Sequence, residues 1–261
     1  MKKDRPPKIS HRAQERIVGV VSPILILLVW QLLGTFGAID QRFVPTPISI
    51  GETAYYMAMD GSLRMHLEAS FIRIGSGFVI GSIIGIILGV LMGLSRWLRA
   101  ALDPMVSAIY PIPKISLLPL IMVFFGLGEA SKIFVIAFAV VFIVLINTMA
   151  GVMSINKIYF DVAKNYRASR AKLFFRVIVP GALPSIFVGL RLAIGVALIL
   201  IVAAEFVAAR AGIGYLIWTS FEVMRIEEMF VGIILITLIG LISTAILKEI
   251  ERWVLPWRYN R

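Results

Sequence analysis

The sequence predicts an all-α polytopic membrane protein with about six transmembrane helices. Three observations lead to this class. The 261-residue chain is 59% hydrophobic with a mean hydropathy of +0.93, whereas soluble domains are nearer to ~45–50% apolar. Six apolar windows are each long enough to cross a bilayer. The basic residues are concentrated beside those windows, as membrane topology requires.

The predicted spans divide the chain into one transmembrane domain and two tails. A span needs about 20 apolar residues, and the windows that meet this length are 17–36, 74–94, 104–128, 133–152, 185–204 and 229–247. The first window is too long for a signal peptide, and the following GAID lacks a small-x-small cleavage site, so we interpret it as an uncleaved span. We expect a tail at 1–16, a single transmembrane domain at 17–253 and a tail at 254–261.

The distribution of Lys and Arg predicts the orientation. If the N-terminus lies inside, the inner segments carry 18 of the 26 basic residues and the outer segments carry five. The positive-inside rule then places both termini in the cytoplasm. The net charge of +11 therefore reflects topology rather than nucleic-acid binding, because the basic residues flank apolar runs and form no soluble fold. The absence of cysteine excludes disulfides, cysteine-based zinc sites and thiol catalysis.

The second span carries glycine at every fourth position, at residues 77, 81, 85, 89 and 93. Such a stripe lets helix backbones approach closely in lipid. We expect ordinary packing within the bundle, although a sliding or subunit-facing surface fits the same pattern. The connections outside the membrane contain two predicted short helices, an amphipathic one at Ile50–Met59 and an interfacial one that starts near Tyr215.

The third span is interrupted by prolines and by one cation. Pro111, Pro113 and Pro119 cannot all lie in one straight helix, because each removes an N–H donor and crowds the preceding turn. Broken backbone at membrane depth is tolerated only against protein or a water-filled path, so this span is either a translocation pathway element or a kinked packing helix. Lys114 lies near mid-bilayer and either gives the pathway an anion preference, snorkels, or forms an internal ion pair.

Other charged residues lie nearer to the predicted ends of spans. Arg191 is expected to snorkel to the cytoplasmic surface, and Glu129 and Glu205 are expected to be interfacial at the outer ends. The span interiors hold no paired carboxylates for proton or sodium coupling, which argues against a secondary transporter. They also hold no His/Asp/Glu cluster or nucleophile–base pair, which argues against a membrane enzyme.

The longest cytoplasmic loop covers 157–184 and combines six basic residues with a single acid. Apolar residues recur with helical spacing at 158, 159, 162 and 166, and again at 173, 174, 177 and 178. We expect two helices separated near Ala168, with Ser169 capping the second helix and Pro180 and Pro184 ending it. The exposed apolar side chains need a surface that buries them, and the residues alone leave two candidates, the bilayer surface and a cytoplasmic partner.

This loop resembles the EAA loop of binding-protein-dependent ABC importer permeases. The family pattern is Glu-Ala-Ala, three residues, Gly, about nine residues, an aliphatic residue, two residues and Pro; here Asp161, Val162 and Ala163 are followed by Arg167 and Pro180. The segments PTPISI, YPIPKISLLPLIMVFFGLGEASKI and AAEFVAARAGIGYLI also resemble the family, most of all its nitrate, sulfonate and taurine type. Because Arg167 replaces the family's glycine, a positive φ at this position would be strained.

The resemblance implies a type I ABC importer permease of the bacterial inner membrane, which is a transporter subunit and not an enzyme. The implied partners are a second copy of the chain in a homodimer, two cytoplasmic ATPase subunits that use ATP and Mg, an extracytoplasmic binding protein, and membrane lipid. The chain has no phosphate-binding P-loop and is expected to bind no cofactor itself. The solute would be a small anion or organic solute such as a sulfonate or nitrate.

The resemblance also implies that the loop couples the ATPases to the spans. A short helix near 162–169 would lie in a groove of the ATPase, and closure of the ATPases on ATP would switch the spans from inward-facing to outward-facing. Asp161 would pair with an ATPase cation or stabilise the helix N-terminus. The predicted coupling residues are Asp161, Val162, Ala163, Lys164, Tyr166, Arg167, Ala168, Ser169 and Pro180.

Overall fold

The computed structural model describes the backbone of residues 11–259, so the predicted tail segments at 1–10 and 260–261 lie outside the described residues. Every regular element between 11 and 259 is a helix, which confirms the all-α class. The helices are α1 (His11–Thr35), α2 (Pro47–Met59), α3 (Ser62–Leu94), α4 (Arg96–Ile109), α5 (Leu118–Phe125), α6 (Glu129–Met153), α7 (Lys157–Asn165), α8 (Arg170–Leu173), α9 (Val179–Ala208), α10 (Ile213–Glu222), α11 (Ile226–Val254) and α12 (Pro256–Tyr259). A 3₁₀ turn (Lys114–Leu117) precedes α5, and a π-helical turn (Phe174–Ile178) joins α8 to α9.

Four helices are long and apolar enough to cross a membrane: α3, α6, α11 and the continuous helix Arg170–Ala208 that contains α8 and α9. They coincide with the second, fourth, fifth and sixth predicted spans, although α3 begins at Ser62 rather than at 74 because polar residues extend the helix beyond its apolar window. The third predicted span is α4 followed by Lys114–Phe125, two pieces bent by 88°. The first corresponds to α1, whose described apolar part, Val21–Thr35, is shorter than a full span.

The glycine stripe of α3 packs against α6. A β-carbon added at Gly77 would lie 2.7 Å from the Ile136 side chain, and one added at Gly89 would lie 2.6 Å from the Leu145 carbonyl oxygen. These distances are shorter than van der Waals contact, so the two backbones approach as closely as they do only because the stripe carries no side chains. The contacts advance in the same direction along both helices, which are therefore parallel. The prediction of packing within the bundle is confirmed.

The third helix of the core, after α3 and α6, is α9, which runs antiparallel to α6. Gly151 of α6 faces Ser185 of α9, and Gly189 of α9 faces Asn147 of α6. The side chains buried at the centre of this three-helix unit are Ile136, Val140, Val144, Ala193, Ala197 and Ile201. The bundle therefore has two ends that α9 connects, and we call them the hairpin end, where α7 and α8 lie, and the distal end, where α10 lies.

Two short helices cover the distal end. The Thr46 side chain caps α2 by accepting a hydrogen bond of 3.3 Å from the Ser49 backbone N–H. Ile50 of α2 packs against Leu216 of α10 and Val231 of α11 in a small separate core. Both short helices that the sequence predicts outside the spans are therefore present, and each buries one apolar face.

Candidate functional site

The predicted helix-turn-helix is present at the hairpin end, and we call Lys157–Ile178 the hairpin. The Asn156 side chain caps α7 by accepting a hydrogen bond of 3.0 Å from the Ile158 N–H. The Ser169 hydroxyl caps α8 by accepting one of 3.3 Å from the Lys172 N–H, which confirms the predicted cap. The first helix covers 157–165, so the expected short helix near 162–169 is wrong in position: its second half is the turn.

The turn between the two helices depends on Arg167. Its φ is +45°, in the left-handed region that the sequence comparison with the family's glycine suggested. Two backbone hydrogen bonds close the turn: the Arg167 N–H donates to the Lys164 carbonyl at 3.0 Å, and the Ala168 N–H donates to the Ala163 carbonyl at 2.9 Å. This is a helix C-terminus in which the position after the last cap residue is left-handed, the position that glycine normally occupies.

The hairpin presents apolar side chains that nothing else in the described chain covers. Ile158 and Tyr159 are each 59% exposed, Val162 is 48% exposed and Tyr166 is 84% exposed. Ala163 and Ala168 are half-buried beneath them. Three basic residues of the same segment are also exposed: Lys164, Arg167 and Arg170. The arrangement is an apolar contact surface with a basic rim, as the periodicity of the sequence indicates.

Asp161 does not act as a helix cap. It lies in the middle of α7, and the N-terminal capping position belongs to Asn156. Its side chain is exposed, and no ion pair joins it to another side chain of the described residues. Of the two interpretations that the sequence allowed, a partner-facing carboxylate is the one compatible with this position.

Pro180 and Pro184 do not end the second helix, and this prediction is wrong. The helix continues from Arg170 to Ala208 as one unit. The π-helical turn before α9 accommodates the first proline: the Val179 N–H donates to the Phe174 carbonyl, five residues earlier, so the hydrogen bonds are shifted out of the α-helical pattern immediately before Pro180. The hairpin is therefore joined to the fifth span by continuous helix.

The break in the third span is confirmed, and it lies at Pro111 and Pro113 between α4 and the 3₁₀ turn. Pro119 lies in the first turn of α5, where proline is tolerated. The Lys114 ammonium donates to the carbonyls of Ile109, Tyr110 and Ile112 at 2.8, 2.7 and 2.9 Å, so it caps the end of α4. The internal ion pair expected as one alternative is absent among the described residues. A pathway role for these four residues stays a prediction.

Arg191 forms an ion pair in place of the expected snorkelling. Its guanidinium donates to Glu251 of α11, whose side chain is 1% exposed. Arg258 reaches the other oxygen of the same carboxylate at 3.3 Å. The pair ties α9 to the end of α11 at the hairpin end, and the sequence windows missed it because the sixth window stops at 247.

A second buried ion cluster lies at the distal end. Glu205, expected at the interface, is 1% exposed, and it accepts a hydrogen bond of 2.6 Å from Arg73, which is 3% exposed. Arg73 also binds both oxygens of Glu129 at the start of α6, and Ser70 donates to Glu205 at 2.8 Å. Buried carboxylates therefore do lie within the helices, and each is paired with an arginine. The expectation that such carboxylates are missing is wrong, and it no longer argues against a secondary transporter. The second predicted window begins at 74 and the fifth ends at 204, so Arg73 and Glu205 were both assigned to span edges.

The same cluster fixes the connection between α9 and α10. Arg73 donates to the Ala211 carbonyl at 2.7 Å, and His66 accepts from the Gly212 N–H at 3.1 Å. Ser70 accepts from the Ile213 N–H at 2.7 Å, and Glu205 accepts from the Gly214 N–H at 2.8 Å. The α3 members occur at i, i+4 and i+7, one face of the helix. This helical spacing is visible in the sequence, but it did not contribute to the predicted sites because the three polar residues precede the apolar window at 74–94.

Comparison with known proteins identifies the family to which this chain belongs. A family model described as the binding-protein-dependent transport system inner membrane component matches residues 81–256, a range that includes the hairpin, Arg191, Glu205 and Glu251. The chain belongs to this family. As a binding-protein-dependent transport component it is the permease subunit of an ABC importer, a transporter subunit and not an enzyme, and a multi-pass protein of the bacterial inner membrane.

Relatives of this permease share most of its length. A protein of Escherichia coli (strain K12) named as an aliphatic sulfonates transport permease is 39% identical over 90% of this chain and 89% of its own. The taurine transport system permease of the same organism is 35% identical over 89% of this chain and 86% of its own. The bicarbonate transport system permease of Synechococcus elongatus is 33% identical over 95% of this chain and 94% of its own.

Proposed function

We propose that this permease forms, with a second copy of itself, the pathway by which a small anionic solute enters the cell. Two separate ATPase subunits would dock on the two hairpins and use ATP and Mg, while the chain itself binds neither. A binding protein outside the membrane would deliver the solute to the distal ends. The observation that carries the proposal is the exposed apolar patch of the hairpin with its basic rim.

The hairpin fits a protein partner better than the bilayer surface. Its exposed patch includes Val162 on a short amphipathic helix and Tyr166 at the end of that helix, and such a helix can place its apolar face in a groove of a partner. Asp161 is exposed within the same surface, and a carboxylate there would be repelled by anionic lipid headgroups but can pair with a cation of a protein. These features, together with the Lys and Arg asymmetry, support a cytoplasmic hairpin and a distal end outside the cell.

Continuous helix offers a direct route for coupling. Motion imposed on α8 reaches α9 through the π-helical turn, without a flexible linker between them. The helix then continues to Glu205 at the distal end, where it is paired with Arg73 of α3. A displacement of the hairpin would therefore act on both ends of the fifth span, which is the requirement for alternating access.

The solute class rests on the relatives. Their names specify aliphatic sulfonates, taurine and bicarbonate, all of which are small and carry an anionic group. A pathway for such solutes must provide cations that are not permanently neutralised. The choice among anions would be made mainly by the separate binding protein.

A second copy and lipid would cover the remaining apolar surface. Val123 and Phe124 of α5 are 81% and 75% exposed, and α11 buries only 11% of its most apolar window. Surfaces of this kind need lipid or another membrane helix. We assign the short helix α5, the second half of the broken span, to the homodimer contact, and we assign α11 to lipid.

The coupling role is tested by placing a charge in the hairpin patch. Ala163→Glu puts a carboxylate in the half-buried floor of the patch and should abolish solute uptake and release the ATPase, while membrane insertion persists. Ala100→Glu is the matched control, because Ala100 is an exposed helical alanine of α4 outside the hairpin. Uptake and ATPase co-purification that survive in Ala163→Glu as they do in Ala100→Glu would refute the coupling role.

A further inference from the structure

A cavity of about 580 Å³ opens at the distal end beside the buried ion cluster. It lies between the start of α6 and the segment 207–211, which contains the last two residues of α9 and the three residues after it. Its charged lining consists of three cations and one carboxylate, Arg73, Lys132, Arg210 and Glu129. A concave site with several convergent cations is a candidate for binding an anion.

Arg73 keeps its position without help from Glu129. On the side away from the cavity, the buried Glu205 accepts from Arg73 Nη1 at 2.6 Å. Glu205 is itself held by Ser70 and by the Gly214 N–H, at 2.8 Å each. The guanidinium therefore presents its remaining donors to the cavity from a fixed frame, as a preorganised oxyanion site requires.

Lys132 is also fixed, and its charge is only loosely paired. Its side chain is 2% exposed, and its ammonium donates to the carbonyls of Leu127 and Gly128 at 3.1 and 3.0 Å. The nearest carboxylate oxygen belongs to Glu129 and is 4.0 Å away. A buried ammonium whose close partners are neutral carbonyls gains from an anion that comes nearer than this.

Glu129 is the most solvent-exposed of the three paired side chains. Its side chain is 60% exposed, whereas those of Arg73 and Lys132 are 4% and 2% exposed. It binds Arg73 through both oxygens, one of them 2.7 Å from Nη2. A rotation of this single side chain toward solvent would uncover Arg73 and Lys132 together. Arg210 is exposed, and no carboxylate of the described residues pairs with it.

We propose that this cavity is a binding site for a small oxyanion, which takes the place of the Glu129 carboxylate on Arg73 and Lys132 while Arg210 attracts it. The proposal deepens the proposed function and rests on it in one respect: the anion is the transported solute at the distal mouth of the pathway. Glu129 returns to the two cations when the anion leaves, so the buried charges are neutralised in both states. A sulfonate or a bicarbonate presents the two or more oxygens that this exchange needs.

The permease chain contains no cysteine, so an introduced cysteine is the only thiol of this subunit, on which the labelling is measured. Ala209→Cys places a thiol in the cavity wall, with Ala208→Cys as a second position if the first variant folds poorly. Ala58→Cys is the control, because Ala58 is an exposed alanine of α2 that does not line the cavity. The complete importer, in nanodiscs of zwitterionic lipid, is treated with an anionic and with a cationic methanethiosulfonate reagent, and both rates are measured.

The ratio of the anionic reagent's labelling rate to the cationic reagent's rate should be about tenfold higher at residue 209 than at residue 58. The reason is that a cavity lined by cations raises the local anion concentration. Taurine, methanesulfonate or bicarbonate should slow labelling at 209 and leave 58 unchanged, and choline should protect neither. In a Glu129→Gln background, protection should occur at several-fold lower anion concentration, because the competing carboxylate is gone. Arg210→Gln should reduce the preference for the anionic reagent, whereas Arg64→Gln, at an exposed arginine of α3, should not.

Equal charge selectivity at 209 and 58, or protection that is unchanged by Glu129→Gln, would overturn the proposal. Protection by anionic lipid in the nanodisc without protection by a soluble anion would assign the cavity to a headgroup and would also overturn it. Labelling requires neither ATP hydrolysis nor uptake, so its outcome is independent of the hairpin. If residue 209 shows the expected preference for the anionic reagent, but Ala163→Glu retains uptake and ATPase co-purification, the coupling proposal is rejected and the anion site is retained.

Discussion

Replacing Arg167 by glycine should stabilise the turn of the hairpin. Arg167 has a φ of +45°, and the left-handed region costs a residue with a β-carbon about 1 kcal/mol relative to glycine. The turn's backbone hydrogen bonds do not involve the arginine side chain, so Arg167→Gly retains them. Local opening of the turn should therefore become less favourable by about 1 kcal/mol, which corresponds to roughly fivefold slower exchange of the amides that it protects.

Hydrogen exchange followed by mass spectrometry on the peptide that covers 163–169 measures this effect directly. The amide of Ala168, which donates to Ala163 at 2.9 Å, should carry most of the change. Arg170→Gly is the matched control: it removes the same charge from the same loop, but residue 170 is the first residue of α8, where glycine relieves no strain and should not slow exchange. Exchange that is unchanged or faster in Arg167→Gly would refute the argument from backbone strain.

Three further predictions concern the spans. Gly81→Ala should lower stability by about 1–3 kcal/mol, because its β-carbon would lie 2.5 Å from the Ala137 carbonyl oxygen. Gly75→Ala is the control, because a β-carbon there meets open space, and it should leave the thermal unfolding midpoint in detergent unchanged. Equal midpoints for the two variants would contradict the packing of α3 on α6. Glu205→Ala should lower the free energy of unfolding by about 3–5 kcal/mol, because it leaves the buried Arg73 with only one of its two carboxylate partners. Glu222→Ala, at an exposed position, should change it little. Similar urea midpoints for both variants would show that the cluster does not stabilise the fold. Lys114→Met should lower the unfolding midpoint by exposing three carbonyls at the end of α4, and should reduce uptake of an anionic solute if the broken span lines the pathway; unchanged stability would exclude the capping role.

Apolar periodicity predicts this fold well where burial follows hydropathy. The spans at 133–152 and 185–204 fall inside α6 and α9, and the helical spacing of 158, 159 and 162 describes α7, with residue 166 just after its end. The glycine stripe and the prolines at 111 and 113 also act through local backbone chemistry, so their consequences could be read without the tertiary structure. Ser169 caps α8 for the same reason.

The predictions failed where distant residues decide the outcome. Glu205 and Arg73 are separated by 132 positions, and neither is recognisable as buried until α3 and α9 are brought together. Arg191 was expected to snorkel because it lies close to the predicted cytoplasmic end of the fifth span, whereas the structure pairs it with Glu251 of α11. Pro180 was expected to stop a helix, but the π-helical turn before it satisfies the backbone in a way that residue propensities do not reveal.

The most direct test of the central claim is a photo-crosslink from the hairpin. Val162→Cys carries the only thiol of the chain, and a benzophenone attached to it in intact membranes should crosslink to the ATPase subunit. The same label at Ala58→Cys, at the distal end, should give no ATPase adduct. Crosslinks from residue 162 to the ATPase, lost in the presence of Ala163→Glu, are the predicted result. Adducts with lipid alone from residue 162, or ATPase adducts from both positions, would contradict the account.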